Sequence, residues 1–139
     1  MADAMWMKIR DVKWKEFKSS HGDASGMPTI LKSLSSRKPP RAMRASHQLW
    51  TALCSGGSVY SAVVPAIPLL LEIFTISDPA VQEGIIDVLM RCDSVEITED
   101  WAEDLDFLVV QAKENLGFLR VKDEIVRAKI EDFSAEKEK

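Results

Sequence analysis

The side chains with the greatest chemical potential form a carboxylate run. Between Arg91 and Lys113 the chain has no basic residue, while Asp93, Glu96, Glu99, Asp100, Glu103, Asp104 and Asp106 supply seven negative charges. Carboxylates at this density suit cation binding, acid–base chemistry or attraction of a basic partner. The D-x-D-x-D-G order of a calcium loop is absent. Other reactive groups are few: His21, His47, Cys54 and Cys92. His47 and Cys54 lie seven residues apart on one predicted helix. That is about 10 Å along its axis, too far for a Cys–His pair. His21, in a Ser-Ser-His-Gly loop, reads as an exposed or capping residue. No H-E-x-x-H, Gly-rich phosphate loop, G-x-S-x-G or C-x-x-C occurs. We therefore expect no catalytic residue, no cofactor and no metal. The two cysteines fall in separate apolar segments and read as reduced core thiols.

The elements that would position these groups are helices. Asp78 is a suitable N-cap with Pro79 at the first helical position, where a backbone N–H would be orphaned anyway. Val81, Ile85, Val88, Leu89 and Cys92 then follow the spacing of one helix face. The template recurs at Trp101, Leu105, Leu108, Val109 and Ala112, with Thr98 as the cap. At about 100° per residue, Glu99, Asp100, Glu103, Asp104 and Asp106 share one arc and the apolar residues another. Upstream, Pro39-Pro40 precede a helix over about residues 41–55, stopped by Gly56-Gly57. A nearly all-apolar helix follows from a Ser58 cap, with Pro65 and Pro68 expected to kink or restart it. Short helices are expected around Trp14 and Phe17 and from Pro28 to Leu34. Residues 118–133 place Val121, Ile125, Ala128 and Phe133 on an apolar stripe. No alternating strand pattern appears.

At 139 residues and 15.6 kDa, with 46 % hydrophobic and 29 % charged residues, the chain suits one packed domain and not a disordered or collagen-like one. Residues 1–12 read as a flexible lead and 134–139 as a solvated tail. The longest apolar stretch, residues 62–76, holds two prolines and a glutamate. It falls short of the roughly 20 residues that cross a bilayer. Without a leader-like start, the expected compartment is the cytoplasm. The net charge of −4 is unevenly laid out. Residues 1–45 hold ten Lys/Arg against four Asp/Glu, and residues 46–112 hold one against eleven. Such asymmetry speaks of partners and not of fold.

The stretch HQLWTALCSGGSVYSAVVPAIPLLLEIF resembles the core of bacterial HEAT-like repeat proteins. There a helix ending in Leu-Trp and a short aliphatic run is followed by a Gly turn, a Val-Tyr pair and a P-x-x-P-x-L-L helix. The earlier WKEFKSSHGDASGMPTILKSLSS resembles the preceding unit of the same proteins. The resemblance spans residues 14 to about 93. The helical spacing predicts an all-α protein of six to eight helices, and the resemblance implies a short α-solenoid of HEAT-like helical hairpins acting as a binding platform. Some small proteins of this type are similar to the immunity proteins that bacteria encode beside toxins.

Carboxylates in a first helical turn stabilise it by complementing the macrodipole, by about 0.3 to 1 kcal/mol each. That explains Glu99 and Asp100 better than the rest, since seven unpartnered like charges repel. The run is therefore expected to be a docking surface for a basic protein, with Trp101 turned towards the core. The expected function is non-catalytic: binding a cognate toxin and occluding its active or substrate-binding surface. The alternatives are a general HEAT-like scaffold or regulatory protein, and a nucleic-acid binder using Lys8, Arg10, Lys13, Lys15, Lys18, Lys32, Arg37, Lys38, Arg41 and Arg44.

Overall fold

The computed structural model describes residues 2–135. Its elements in chain order are α1 (Ala2–Asp11), a 3₁₀ turn (Trp14–Glu16), β1 (Lys18–Ser19), β2 (Gly22–Asp23), α2 (Met27–Leu34) and α3 (Pro39–Cys54). A second 3₁₀ turn (Ser55–Gly57) leads to α4 (Val63–Phe74), α5 (Pro79–Ser94), α6 (Ala102–Gly117) and α7 (Glu124–Ser134). The fold is all-α, with seven α-helices among the described residues. Two features depart from expectation. The lead expected to be flexible is helix α1, whose Ile9 is buried. Residues 18–23 form a two-stranded antiparallel hairpin, Lys18 opposite Asp23 and Ser19 opposite Gly22, too short to show as alternation in sequence.

That hairpin serves the helix ends. The last carbonyls of a helix and the first N–H groups of the next lack intrahelical partners. Ser20 donates from its N–H to the Ala52 carbonyl (2.9 Å) and from its hydroxyl to the Thr51 carbonyl (2.7 Å), satisfying the end of α3. Lys18 accepts from the Ala62 N–H (3.0 Å) and donates its own N–H to the Ser61 hydroxyl (2.9 Å), at the start of α4. Gly56 and Gly57 turn the chain between the two helices at φ 70° and 79°, a region that side chains rarely adopt.

Helix α4 differs from its expected course. It is continuous through Pro68. Pro65 is its third residue, where the missing N–H costs nothing. Pro68 does forgo a hydrogen bond, but its ring lies on the exposed side while Ala66, Ile67, Leu69, Leu70, Ile73 and Phe74 are buried. Six buried apolar side chains, at about 1.5–3 kcal/mol for each large one, offset a penalty of about 3 kcal/mol.

Helices α3, α5 and α7 pack in succession, and α4 and α6 pack beside one another against that row. Helix α1 lies against α2 and α4. One hydrophobic cluster runs unbroken from Ile9 in α1 to Phe133 in α7. The α5 face predicted from spacing is the buried one: Val81, Ile85, Val88, Leu89 and Cys92. The α7 face is not. Val126, Ile130 and Phe133 are buried, whereas Ile125 and Ala128 are exposed. The helix starts only at Glu124, where the Asp123 carboxylate accepts the Val126 N–H at 3.0 Å. Phase counted from Val121 therefore misses. Among the described residues no helix is long and apolar enough to cross a membrane.

Candidate functional site

The seven carboxylates separate into three groups. Asp93, near the end of α5, is paired with Lys113 of α6 at 2.9 Å, both side chains largely buried. This clamps α5 to α6, and the Lys113 ammonium also lies 5.5 Å from the centroid of the Phe133 ring. Glu99 is occupied too: its carboxylate accepts the Trp101 indole N–H at 2.7 Å. Helix α6 begins at Ala102 with Trp101 in the N-cap position, so Thr98 does not cap it and Glu99 and Asp100 lie in the turn before it. The half-buried Trp101 packs against the core with its N–H satisfied, an inward role as expected. The remaining five, Glu96, Asp100, Glu103, Asp104 and Asp106, are exposed and make no ion pair among the described residues. Glu103 and Asp104 stand in the first turn of α6, where the macrodipole favours them. No three His, Cys, Asp or Glu side chains among the described residues are arranged to hold a metal ion.

What the sequence reading missed is the other side of α6. Leu105, Val109, Ala112 and Leu116 are buried and fix the inward face. At about 100° per residue, Glu103, Phe107, Val110, Glu114 and Phe118 then fall on the opposite, outward face. Phe107 is 63 % exposed, Val110 54 % and Phe118 88 %. Glu103 lies one turn before Phe107, Asp106 one turn before Val110, and Glu114 one turn beyond Val110. An apolar strip is thereby bracketed by carboxylates. A signal was available: residues 105–110 read Leu-Asp-Phe-Leu-Val-Val, more apolar residues than one helix face can bury. Leu108, assigned to the inward face, is only half-buried.

The two cysteines lie near enough for Cys54 to act on the Cys92 thiol, but neither histidine shares their buried environment. His21 and His47 are exposed, whereas Cys54 and Cys92 are buried. Burial pushes the Cys54 thiol up to about 12 despite the nearby Arg91 guanidinium. Burial, helped by Cys54 and Asp93, drives Cys92 well above the usual thiol range. The thiolate is the reactive species, so both sulfurs should be inert in the folded chain. Ellman's reagent at mild alkaline pH should release nothing from native protein and two equivalents after guanidinium unfolding. Rapid native labelling would contradict the burial.

The basic third is spread over α1, the hairpin, α2 and α3, and part of it is engaged. Lys8 is ion-paired with Glu72 at 2.7 Å, and Lys32 lies 4.9 Å from the Trp6 ring centroid.

No protein-family model, curated protein or solved structure matches the chain.

Proposed function

We propose that the chain is a non-catalytic protein-binding module, a short HEAT-like α-solenoid that acts as an immunity protein in the cytoplasm and neutralises a cognate bacterial toxin by covering its active or substrate-binding surface. The observation that carries the binding reading is the outward face of α6, where Phe107 and Val110 stand exposed among Glu103, Asp106 and Glu114. Protein interfaces combine an apolar, often aromatic centre with a polar rim. Exposed carboxylates add long-range attraction for a basic partner, raising the encounter rate and penalising acidic competitors. A toxin that acts on nucleic acid needs a basic cleft, which is the complementary surface. The sequence resemblance to HEAT-like proteins of the immunity type supports the same reading.

The test is a pull-down of the tagged chain from its native cells at moderate salt, followed by affinity measurement on the captured partner. One stoichiometric small protein, toxic when expressed alone, is the expected product. Glu103→Lys with Asp104→Lys and Asp106→Lys should abolish binding while leaving the helical circular dichroism intact. Phe107→Ser with Val110→Ser should weaken it by about 30-fold or more, the scale of a truncated hot spot. Unchanged affinity in both sets would overturn the α6 surface. A general scaffold would instead yield several unrelated proteins. Salt-sensitive DNA binding at about 50 mM salt would favour the basic N-terminal third.

A further inference from the structure

A groove of about 1130 Å³ crosses the open side of α4, bounded by α1 and the end of α2 on one flank and by α6 on the other. Its lining includes apolar side chains that the core does not cover: Met5 and Trp6 of α1, Leu71 of α4 and Leu108 of α6 are half-buried, and Ile76 is 57 % exposed. On the α6 flank, Gln111 and Asn115 stand one turn apart. Both are exposed, and neither side chain has a hydrogen-bond partner among the described residues. The α2 flank contributes Lys32 and Arg37. Lys32 rests on the Trp6 ring, and Arg37 makes no ion pair among the described residues. Of the two carboxylates in the lining, Glu72 is neutralised by Lys8 and Asp78 stands at the start of α5. The balance of charge is therefore positive and lies towards α2.

We propose that this groove binds an extended peptide segment with apolar side chains and an acidic residue at the Lys32–Arg37 flank. Two observations select a peptide over a hydrocarbon-chain acid. Each free amide offers both a donor and an acceptor, which a peptide backbone meets on both counts and a hydrocarbon would leave desolvated and unpaired. Residues four apart on a helix rise by about 6 Å, close to the roughly 6.6 Å between alternate residues of an extended chain. Gln111 and Asn115 are thus spaced to grip alternate backbone units of one strand. This site shares no residue with the outward face of α6 and stands without the toxin reading.

The test uses a display library of random ten-residue peptides with free C-termini, selected on the full chain and measured by fluorescence polarisation. Enriched peptides should be apolar with an acidic residue at one end. Gln111→Ala with Asn115→Ala should weaken them by about tenfold or more, as expected for lost hydrogen-bond pairs. Lys32→Glu with Arg37→Glu should do the same and select against the acidic end, each variant keeping its circular dichroism spectrum. Phe107→Ser should leave their affinity unchanged, which separates this site from the α6 surface. Failure to enrich, enrichment of basic sequences, affinities indifferent to both groove variants, or saturable binding of dodecanoate with no peptide would each overturn the proposal.

Discussion

Phe74→Ala should destabilise the chain by about 3–5 kcal/mol, the range for deleting a fully enclosed aromatic side chain. Phe74 is 0 % exposed and is the last residue of α4, the helix that meets α1, α5 and α6. Its own backbone is engaged as well: the carbonyl accepts the Gln82 side-chain amide at 2.9 Å and the Ser77 N–H at 3.3 Å. These bonds hold the α4–α5 corner in place, so the surroundings have little freedom to collapse into the space left by the ring. Retained cavity volume is what raises the cost of such truncations. For a domain whose total stability is of the order of 5–15 kcal/mol, the variant should unfold at a much lower urea midpoint with an unchanged slope. A loss below about 1 kcal/mol would mean that the corner is open to solvent or readily repacked.

Gly84→Leu should be nearly as damaging, and the reason lies between two helices. Gly84 of α5 faces Ser46 of α3, and a Cβ built on the glycine would overlap the Ser46 hydroxyl oxygen. The Ser46 Cβ lies at 3.4 Å, an ordinary contact. A leucine must displace the Ser46 side chain at this crossing and overpack the α3–α5 contact, at a cost of up to about 3 kcal/mol. Alanine gives the sharper experiment. Removing a mid-helix glycine is worth about 0.8–1 kcal/mol of helix propensity, but the gain is opposed while the serine hydroxyl occupies the site. Gly84→Ala should therefore be neutral or destabilising alone and stabilising when combined with Ser46→Ala. A double-mutant cycle by chemical denaturation should show a coupling of about 1 kcal/mol or more. Strict additivity would mean that the serine simply rotates away and the helices are not in close approach there.

Much of this was legible because the strongest local signals agree with tertiary packing. The start of α5 at Pro79, with Asp78 in the N-cap position though without a side-chain cap hydrogen bond, the Gly56-Gly57 stop after α3 and the 3.6-residue apolar spacing of α5 all correspond to the structure. Each depends on backbone chemistry or on a single buried face. The failures have the opposite character. Helix α1 contributes one fully buried side chain, Ile9, together with half-buried Met5 and Trp6, and leans on distant α4 for its burial, which local periodicity does not report. Pro68 read as a break because the cost of proline is local, whereas the compensating burial of α4 comes from three other helices. In α6 the inward face was found and the outward strip of Phe107 and Val110 was not, because an amphipathic template accounts for one apolar arc and ignores the surplus. Of the acidic run, Asp93 and Glu99 were indistinguishable by sequence from their neighbours. Only the approach of Lys113 from a second helix and of the Trp101 indole shows them to be structural.

The β1–β2 hairpin has a bearing on how the chain comes apart. Residues 18–20 hold the end of α3 and the beginning of α4, partners more than thirty positions further along. Detaching the first twenty residues would expose the carbonyls of Thr51 and Ala52 and the N–H of Ala62 at once, fraying two central helices whose own sequences are intact. Opening is thus coupled across the chain: the amides of Ser20 and Ala62 belong to one cooperative unit and should share a hydrogen-exchange rate. A protease cut near residue 21 would loosen the middle of the molecule before it loosened the C-terminal helices.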